Sequence, residues 1–439
     1  MISDGSAQIP RFWGGVANWR RGWYNAPALE MNLLSVHEAQ ERILSHFQPV
    51  ETETLSLGAS AGRVLAADIV SSDLPHFDNS SVDGFAVVAS DLVNATPDSP
   101  STLSVIADIP AGSSSDIAIK QGQAARIMTG APVPKGADAI VMVEDTDIKH
   151  RNPGAQAPAT VKVFKSVQTG ENIRPRGMDI KTGHKILFTG TRLRAQEVGL
   201  LAMLGVANVS LYRKPLIALL SSGDELTAVE SRLAPGQIHD SNSYTLSALI
   251  GESGCEVLWL GIAPDRKEAI QFLFDQAVGV NADLIISSAG VSVGALDYVK
   301  EVVESNGQLD FWRVNMRPGK PLAFGEYRRV PFIGLPGNPV SAFVGFEVFA
   351  RPAIDRLTGS KTAARLRVKV RLAEAIESDG RESYLRAVIE ERAGILSARL
   401  TGHQGSGNLL SLVQANALLI VPAGVKSLAI GDQAEAWIL

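Results

Sequence analysis

The spacing of hydrophobic residues predicts an α/β domain in the second half of the chain. Between residues 215 and 357, short apolar runs alternate with longer segments in which apolar residues recur three and four positions apart. The short runs are typical of buried strands and the longer segments of amphipathic helices. The predicted strands span 216–220, 257–260, 283–288 and 332–335, and the predicted helices span 241–251, 266–278, 296–305 and 338–357. This alternation predicts three layers around a mainly parallel sheet.

The flanking regions follow other patterns. Residues 31–48 have helical periodicity, whereas 51–170 alternate over short segments, which predicts a β-rich domain with exposed loops at 94–101 and 149–160. A further helix is expected over 190–206, with Thr191 as its N-cap and Gly205 at its end. A Ser-Asn-Ser cap that begins at Ser241 is expected to open the helix over 241–251. Beyond residue 363 the alternation returns and predicts a small C-terminal β domain.

Composition narrows the possible chemistry. The chain has 439 residues, enough for two to four domains. Its formal net charge of −5 argues against a protein whose main role is to bind polyphosphate backbones. Its single cysteine, Cys255, excludes an internal disulfide and lies in an apolar run, so it is expected to be a buried core residue rather than a reactive thiol. The seven histidines show no metal-ligand spacing. A metal acting here is therefore expected to be a hard cation held by carboxylates.

The sequence also bears on location. No apolar run is long enough to span a membrane, and the Trp- and Arg-containing first 30 residues lack the apolar core of a signal peptide. A cytoplasmic location is therefore expected. Residues 1–30 are interpreted as a loose extension or as the result of an upstream start codon.

Acidic and glycine-rich loops follow the predicted parallel strands, where ligands bind in α/β sheets. Asp224 and Glu225 follow Gly223 and are either functional carboxylates or the solvated start of a helix. The loop over 287–297 offers glycines, hydroxyls and a helix N-terminus, which suit a phosphate, although a plain structural turn is an equal alternative. Asp297 can hold a cation that bridges this anion.

A basic turn and a helix start complete the candidate loops of this domain. Arg317 and Lys320 flank a Pro-Gly turn, and fixed cations in an acidic protein indicate an oxyanion receptor rather than a solvated basic turn. Asn338 can cap the last long helix and Pro339 suits its first position, which explains both residues structurally. Ser341 is then expected near the same helix terminus.

Other candidates lie outside the α/β domain. Asp83 lies in a bend rich in Gly, Asn and Ser, and can be a simple turn former. Thr129 is either a strand-end hydroxyl or a ligand contact. His403 and Ser406 lie on a loop with a glycine at each bend.

Seven motifs together resemble the MoeA family, which includes the E domain of gephyrin. Each motif is modest, but they follow the family's order from about residue 31 to the C-terminus, which makes the resemblance specific. They lie at 78–84, 127–134, 222–226, 290–294 with Asp297, 318–321, 334–341 and 401–406.

The resemblance implies a multidomain α/β and β fold. After the N-terminal extension of residues 1–30, the implied domains are an elongated helical domain I (31–60 and 170–212), an inserted β domain II (61–169), a MogA-like α/β domain III that binds molybdopterin (213–362) and a β-barrel domain IV (363–439). It also implies a homodimer, with the active site in a cleft between the α/β domain of one subunit and the inserted domain of its partner.

The implied activity is that of a transferase of molybdenum cofactor biosynthesis. It inserts molybdate into adenylylated molybdopterin, forms the molybdenum cofactor, releases AMP and uses Mg²⁺. Further implied partners are a MogA-like adenylyltransferase and molybdoenzyme apoproteins, with no nucleic acid and no membrane. The alternatives are a scaffold of the gephyrin type, a non-catalytic pterin-binding paralogue and a tungstate-specific transferase. The short extension argues against a scaffold, and the intact acidic and basic loops argue against an inactive paralogue.

The resemblance also assigns site residues by position. Catalytic roles are implied for Asp83, Thr129, Glu225 and Asp297, with Asp265 and Asp297 as Mg²⁺ ligands. Binding of the pterin nucleotide is implied for Asp224, Ser287, Gly290, Ser292, Gly294, Pro318, Gly319, Pro336 and Asn338. Binding of molybdate is implied for Arg317, Lys320, Ser341, Arg386 and Ser406, with Arg381 as the alternative to Arg386.

Four positions depart from the common family pattern. Ala289 replaces a glycine and Met178 a glutamate, while Arg313 and Arg317 stand where lysine is frequent. The arginines keep the charge but change the hydrogen-bonding geometry. None of these departures removes a group to which the resemblance assigns an essential role.

Overall fold

The structure is a computed structural model that describes residues 33–113, 116–148, 156–288, 298–361 and 365–439. Its largest units are a six-stranded α/β sheet, a five-stranded β sheet and a C-terminal barrel. Within the described ranges, no helix is long and apolar enough to cross a membrane.

A six-stranded sheet forms the centre of the predicted α/β domain. Four of its strands are parallel neighbours, in the spatial order Glu256–Ala263, Leu216–Ser222, Leu284–Ser288 and Val330–Leu335. Alternate side chains of the second strand enter two separate cores, with Leu219 on one face and Leu220 on the other. The helices cover both faces, which confirms the three-layer prediction; they are Asn242–Glu252, Lys267–Gly279, Tyr298–Asn306, Pro339–Gly345 and Arg351–Leu357, with a π-helical segment Phe346–Ala350 between the last two.

Two antiparallel strands that the sequence analysis missed extend this sheet. Pro321–Tyr327 pairs with Val330–Leu335, and Gly307–Arg313 pairs with Pro321–Tyr327. The basic turn over 313–321 is therefore a connection between antiparallel strands. Because Gly307–Arg313 runs in the same direction as the four parallel strands, the turn still lies at their carboxyl edge.

Helix caps differ from the prediction in two places. Ser241 makes no side-chain cap, and the backbone N–H of Ser243 donates instead to the Asp240 carboxylate at 3.1 Å. Thr191 is not the cap of the helix predicted over 190–206, because that helix is Ala195–Met203 and the Glu197 carboxylate accepts from the backbone N–H of Arg194 at 2.9 Å. The backbone carbonyl of Thr191 accepts instead from Leu65, which makes this stretch part of an extended pairing.

The first described helix is Val36–Ser45, shorter than the predicted 31–48. Its N-cap is Ser35, whose hydroxyl accepts from the backbone N–H of Glu38 at 3.1 Å. Ala39 and Ile43 are fully buried in the same core as Leu219. This helix therefore packs on the α/β domain.

The β-rich prediction for the N-terminal half is confirmed by a mixed five-stranded sheet. Its strands lie in the order Ala139–Met142, Gly84–Val87, Gln123–Ile127, Ser101–Ile109 and Thr160–Val163. The expected loops over 94–101 and 149–160 end in strands at Ser101 and Thr160, and residues 149–155 lie outside the described ranges. A separate antiparallel pair, Thr52–Ser56 with Asn208–Tyr212, packs near the helix Ala195–Met203.

The C-terminal domain is a closed barrel. Its strands follow one another as Glu382–Arg392, Ile395–Leu400, Arg367–Leu372, Gln433–Ile438 and Ala417–Val421, and the last pairs with the first. A short strand of the basic turn, Met316–Arg317, pairs in parallel with Glu382 and Ser383 of the barrel. Backbone hydrogen bonds thus join the α/β domain to the barrel.

Short elements complete the fold. Two-stranded pairs form between Ile69–Val70 and Lys185–Leu187, Asn79–Ser80 and Ile173–Arg174, Leu226–Thr227 and Ile238–His239, and Ile376–Glu377 and Ser427–Leu428. Single 3-10 turns lie at Leu57–Ala59, Ala89–Leu92 and Val143–Asp145, and a one-turn helix at Leu410–Val413. Cys255 is buried as expected, and burial raises the pKa of its thiol to about 12, so it is neutral at physiological pH.

Candidate functional site

A cavity of about 350 Å³ lies where the carboxyl edge of the α/β sheet meets the barrel. It is lined by residues of the basic turn, the start of the last long helix and two segments of the barrel: Arg317, Pro318, Gly319, Lys320, Pro321, Asn338, Ser341, Arg381, Leu385, Arg386, Gln404, Gly405 and Ser406. All the residues expected to bind molybdate are among them. Motifs that lie far apart in the sequence, and that the resemblance grouped in one site, thus line one cavity in the structure.

Arg386 is a fully buried side chain in the wall of this cavity. Its Nε donates to the hydroxyl of Ser411 at 3.0 Å and its Nη2 to the carbonyl of Gly405 at 3.0 Å. Its Nη1 has no hydrogen-bond partner in the part of the chain that the structure describes. A buried guanidinium nitrogen without an acceptor is costly, so this arrangement favours an anion that supplies the missing acceptor.

The charges around Arg386 point the same way. Burial lowers the pKa of Arg386 to about 10, and the positive charge of Arg317 contributes to this shift. The side chain therefore remains protonated near pH 7. Together with Lys320 and Arg381, it gives the cavity a concentration of positive charge in a chain whose net charge is −5. Such a receptor suits a divalent oxyanion.

The second arginine of the cavity wall, Arg381, differs in its contacts. Its Nε donates to the Asp379 carboxylate at 3.0 Å, and its Nη1 donates to the carbonyl of Met316 at 3.2 Å. Arg381 was the alternative to Arg386 as the implied molybdate ligand. Of these two arginines, Arg386 is the one with a buried donor that has no described partner. The geometry favours Arg386 as the oxyanion ligand.

The helix start beside the cavity presents polar groups. Asn338 precedes the helix Pro339–Gly345 but makes no side-chain cap, so the structural explanation offered by its position does not use its amide. Ser341 is buried in the first turn, and the backbone N–H of Val340 donates to the carbonyl of Ser406 at 3.0 Å. This bond ties the helix start to the barrel loop that also carries Gly405.

Acidic residues gather at the carboxyl ends of two neighbouring parallel strands. The backbone N–H of Asp265 donates to the Asp224 carboxylate at 3.1 Å. Burial raises the pKa of the Asp265 carboxyl, and the charges of Asp224 and Glu225 raise it further. In the described part of the chain, no three Asp, Glu, His or Cys side chains are already arranged to hold a metal ion.

Several expected binding residues lie away from the cavity lining. Ser287 is fully buried and its hydroxyl has no hydrogen-bond partner among the described residues, and Pro336 is buried. Gly290, Ser292, Gly294 and Asp297 lie outside the described residues, as does Ala289. The phosphate loop therefore remains an expectation.

Asp83 and Thr129 are hydrogen-bonded to each other in the five-stranded sheet region. The Asp83 carboxylate accepts from the backbone N–H of Thr129 at 2.7 Å and from its hydroxyl at 2.9 Å. Both residues are exposed, and all cavity-lining residues come from positions 317–406. The pair is thus a unit, but it does not line the cavity of its own chain.

Ser411 and Asp379 are two residues that the sequence analysis missed. Ser411 lies in the one-turn helix Leu410–Val413 and Asp379 precedes a barrel strand. Neither stands out in the sequence, because isolated Ser and Asp residues near turns are common. Their contacts with Arg386 and Arg381 appear only in the fold.

Comparisons with known proteins cover the chain almost from end to end. A family model of the MoeA N-terminal region (domains I and II) matches residues 34–205, one of a probable molybdopterin binding domain matches 218–356, and one of the MoeA C-terminal region (domain IV) matches 369–439.

Curated relatives and solved structures agree with these matches. A protein of Nostoc sp. named molybdopterin molybdenumtransferase is 39% identical over 382 residues, which is 85% of this chain and 86% of that protein. A Haemophilus influenzae protein of the same name is 36% identical and covers 89% of this chain and 94% of its own length. The crystal structure of the molybdopterin biosynthesis MoeA protein from Pyrococcus horikoshii OT3 has a TM-score of 0.77 at 29% identity and covers 93% of this chain and 100% of that one.

Proposed function

The chain belongs to the MoeA family, and from this premise we propose that it transfers molybdenum from molybdate to adenylylated molybdopterin and releases AMP. The relatives named molybdopterin molybdenumtransferase support this activity. The observation that carries the proposal is the cavity in which buried Arg386 retains an unpaired Nη1.

Molybdate is a tetrahedral dianion, and the cavity offers groups that complement it. Arg386 supplies a free donor in a fixed orientation, while Arg317 and Lys320 add charge from the basic turn. Ser341 of the α/β domain and Ser406 of the barrel add one hydroxyl group from each side of the cavity. Preformed donors and charges bind an oxyanion without a large reorganisation cost.

The pterin nucleotide is placed at the carboxyl edge of the α/β sheet, beside the molybdate cavity. Pro318, Gly319 and Asn338 line the cavity and would contact the part of the substrate that faces the oxyanion. Glycine at 319 has a φ of +105°, which a larger residue adopts only with strain. The loop over 290–294 would bind the phosphate.

Magnesium is assigned to Asp265 together with Asp297. Carboxylate oxygens are donors that suit a hard cation. Burial, and after it the charges of Asp224 and Glu225, raises the pKa of the Asp265 carboxyl, and a bound divalent ion would favour its charged form. When bound, the ion would neutralise charge on the phosphates during release of AMP. Asp224 and Glu225 then serve to orient Asp265 and the nucleotide.

A homodimer is part of the proposal, because the Asp83–Thr129 pair lines no part of its own chain's cavity. A partner subunit would bring this pair to the pterin nucleotide. Both residues are exposed and thus accessible to such a neighbour. The cytoplasmic location and the further protein partners rest on the family resemblance.

The proposal is tested by AMP release from adenylylated molybdopterin in the presence of Mg²⁺, with and without molybdate. Lys320→Met should abolish the molybdate-dependent release and weaken molybdate binding in calorimetry. Lys369→Met is the matched control, since Lys369 is an exposed lysine on a barrel strand. AMP release by the Lys320 variant at the wild-type rate would refute the assignment. Replacing molybdate with tungstate distinguishes the tungstate-specific alternative.

A further inference from the structure

The carboxylate of Asp379 lies next to the cationic cavity and forms ion pairs with two of its lining residues, Arg381 and Arg317. The Asp379 Oδ2 atom lies 3.0 Å from Nε of Arg381 and 3.9 Å from Nη1 of Arg317. The other carboxylate oxygen of Asp379 accepts from the backbone N–H of Arg381 at 3.1 Å. Asp379 itself is not part of the cavity lining, whereas both arginines are.

The contacts of Arg381 explain why two similar arginines behave differently. Its Nε is directed to Asp379 and its Nη1 to the carbonyl of Met316, so its donors are occupied by the protein. Arg386 has only neutral partners, the hydroxyl of Ser411 and the carbonyl of Gly405, and keeps one donor free. The presence of one carboxylate thus separates an arginine held by the protein from an arginine available to a ligand.

We propose that Asp379 is an internal counter-ion that lowers the affinity of the cavity for its oxyanion and reserves Arg386, rather than Arg381, as the ligand. This inference rests on the proposed function, because it concerns the same cavity. A dianion that enters must compete with Asp379 for Arg317 and is repelled by its charge. Asp379 therefore keeps the oxyanion from binding too tightly. This suits a substrate, because tight binding before the reaction does not speed the reaction.

The charge balance shows the direction of the effect. Arg317, Lys320, Arg381 and Arg386 contribute four positive charges, and Asp379 offsets one of them. Removal of the Asp379 charge raises the net positive charge of this cluster by one and weakens the hold on Nε of Arg381, since a neutral oxygen is a weaker acceptor than a carboxylate. Both changes favour an anion in the cavity.

The test compares oxyanion binding by wild-type protein, Asp379→Asn and Asp379→Ser, with molybdate and tungstate as the titrants in calorimetry at low salt. Both variants should bind about two- to fivefold more tightly, because Asp379 and its partners are partly exposed. Glu390→Gln is the matched control. Glu390 also lies near two arginines of the barrel, Arg392 at 2.9 Å and Arg399 at 3.6 Å, but does not line the cavity.

A double variant separates the two parts of the effect. In Asp379→Asn with Arg381→Gln, most of the gain should disappear, since the freed guanidinium is absent. Unchanged or weaker binding by both Asp379 variants, with native circular dichroism, would overturn the inference. If wild-type protein binds no oxyanion, the proposed function fails and this inference with it. If wild-type protein binds and only the Asp379 variants show no gain, the inference alone fails.

Discussion

The hydroxyl of Ser411 accepts a hydrogen bond from Nε of Arg386 at 3.0 Å and donates one to the carbonyl of Asn408 at 2.6 Å. Both Ser411 and Arg386 are buried. Because the Ser411 proton is committed to Asn408, its oxygen is oriented to receive the Arg386 N–H. The position of the free Nη1 in the cavity therefore depends on a residue that does not line the cavity.

Ser411→Ala should weaken molybdate binding about tenfold, because a buried Nε–H loses its acceptor and the guanidinium turns to find another. Ser411→Thr keeps the hydroxyl and should restore most of the affinity. The measurement is calorimetric titration with molybdate. Ser397→Ala, in a neighbouring barrel strand, serves as the control. Equal affinity of Ser411→Ala and wild-type protein would exclude a positioning role.

A mixed dimer should recover activity that neither parent has. Chains carrying Asp83→Ala lack the exposed carboxylate, and chains carrying Lys320→Met lack a cavity cation. If the pair of one subunit serves the cavity of the other, a mixed dimer contains one intact site, and an equal mixture should show about a quarter of the wild-type rate. The measurement is AMP release after co-expression. If each site were built within a single chain, every chain in the mixture would carry one defect and no site would be intact. Failure to recover any activity would therefore argue against a shared cleft.

The matched control for that experiment places both changes in one chain. If the cleft is shared, a heterodimer of the double variant with wild-type chain has no intact site, and an equal mixture should show about a quarter of the wild-type rate, all of it from wild-type dimers. Sites built within single chains would instead give about half of the wild-type rate. Size-exclusion chromatography of each sample confirms that equal amounts of dimer are compared.

Asp355 should make stability depend on pH. Burial raises the pKa of this carboxyl to about 6, while the charges of Arg351 and Arg192 lower it. The folded state therefore binds more protons than the unfolded state between about pH 4 and pH 6, and stability falls as the pH rises through this range. Asp355→Asn removes the ionisation and should stabilise the protein at pH 8 by roughly 1–3 kcal/mol.

The gap between Asp355→Asn and wild-type protein should widen from pH 4 to pH 6 and stay constant above. Thermal unfolding of both proteins at several pH values measures it. Asp432→Asn is a suitable control, because Asp432 is an exposed carboxylate that accepts from the backbone N–H of Ala429. A gap that does not change with pH would show that Asp355 titrates normally.

Gly84→Ala should destabilise the β domain by about 2–3 kcal/mol or prevent its folding. Gly84 lies in a strand between two neighbours, and a Cβ there would come within 1.8 Å of the carbonyl oxygen of Val141. Gly58→Ala is the control, since a Cβ at Gly58 meets nothing within 4 Å. Denaturant unfolding of both variants measures the difference, and equal midpoints would contradict the packing argument.

The sequence predicted the parts of the fold whose residues repeat a simple pattern. The strand Leu216–Ser222 begins with an unbroken apolar run over 216–220 because helices cover both faces of the sheet, and such a run is recognisable by itself. Gly307–Arg313 was missed because Gln308 and Asp310 interrupt its apolar residues. Pro321–Tyr327 was missed because its apolar run, Leu-Ala-Phe, is short and lies between a proline and a glycine. Their pairing depends on each other and on Val330–Leu335, which local periodicity does not report.

The candidate site was predictable to the extent that motifs follow strand ends. The loops of Arg317, Lys320 and Ser341 were expected at the carboxyl edge of the sheet, and the family resemblance grouped these residues in one site. In the structure they line one cavity. The resemblance put Arg386 before Arg381, but the residues themselves gave no reason for this order. The contacts that favour Arg386, with Ser411 and Asp379 holding the two arginines differently, form only when the barrel closes. The helix caps at Thr191 and Ser241 were wrong because Glu197 and Asp240 compete for the same backbone donors.

The parallel pairing of Met316–Arg317 with Glu382 and Ser383 has a consequence for how ligands enter. A hinge motion that moved the barrel away from the α/β domain would have to break the backbone hydrogen bonds of this pairing. The segment that carries Arg317 and the barrel strand that carries Arg386 are instead joined by backbone hydrogen bonds. Ligands should therefore enter and leave through an opening of nearly constant width. Movement of the side chains around this opening, rather than a hinge motion between the domains, should control the exchange.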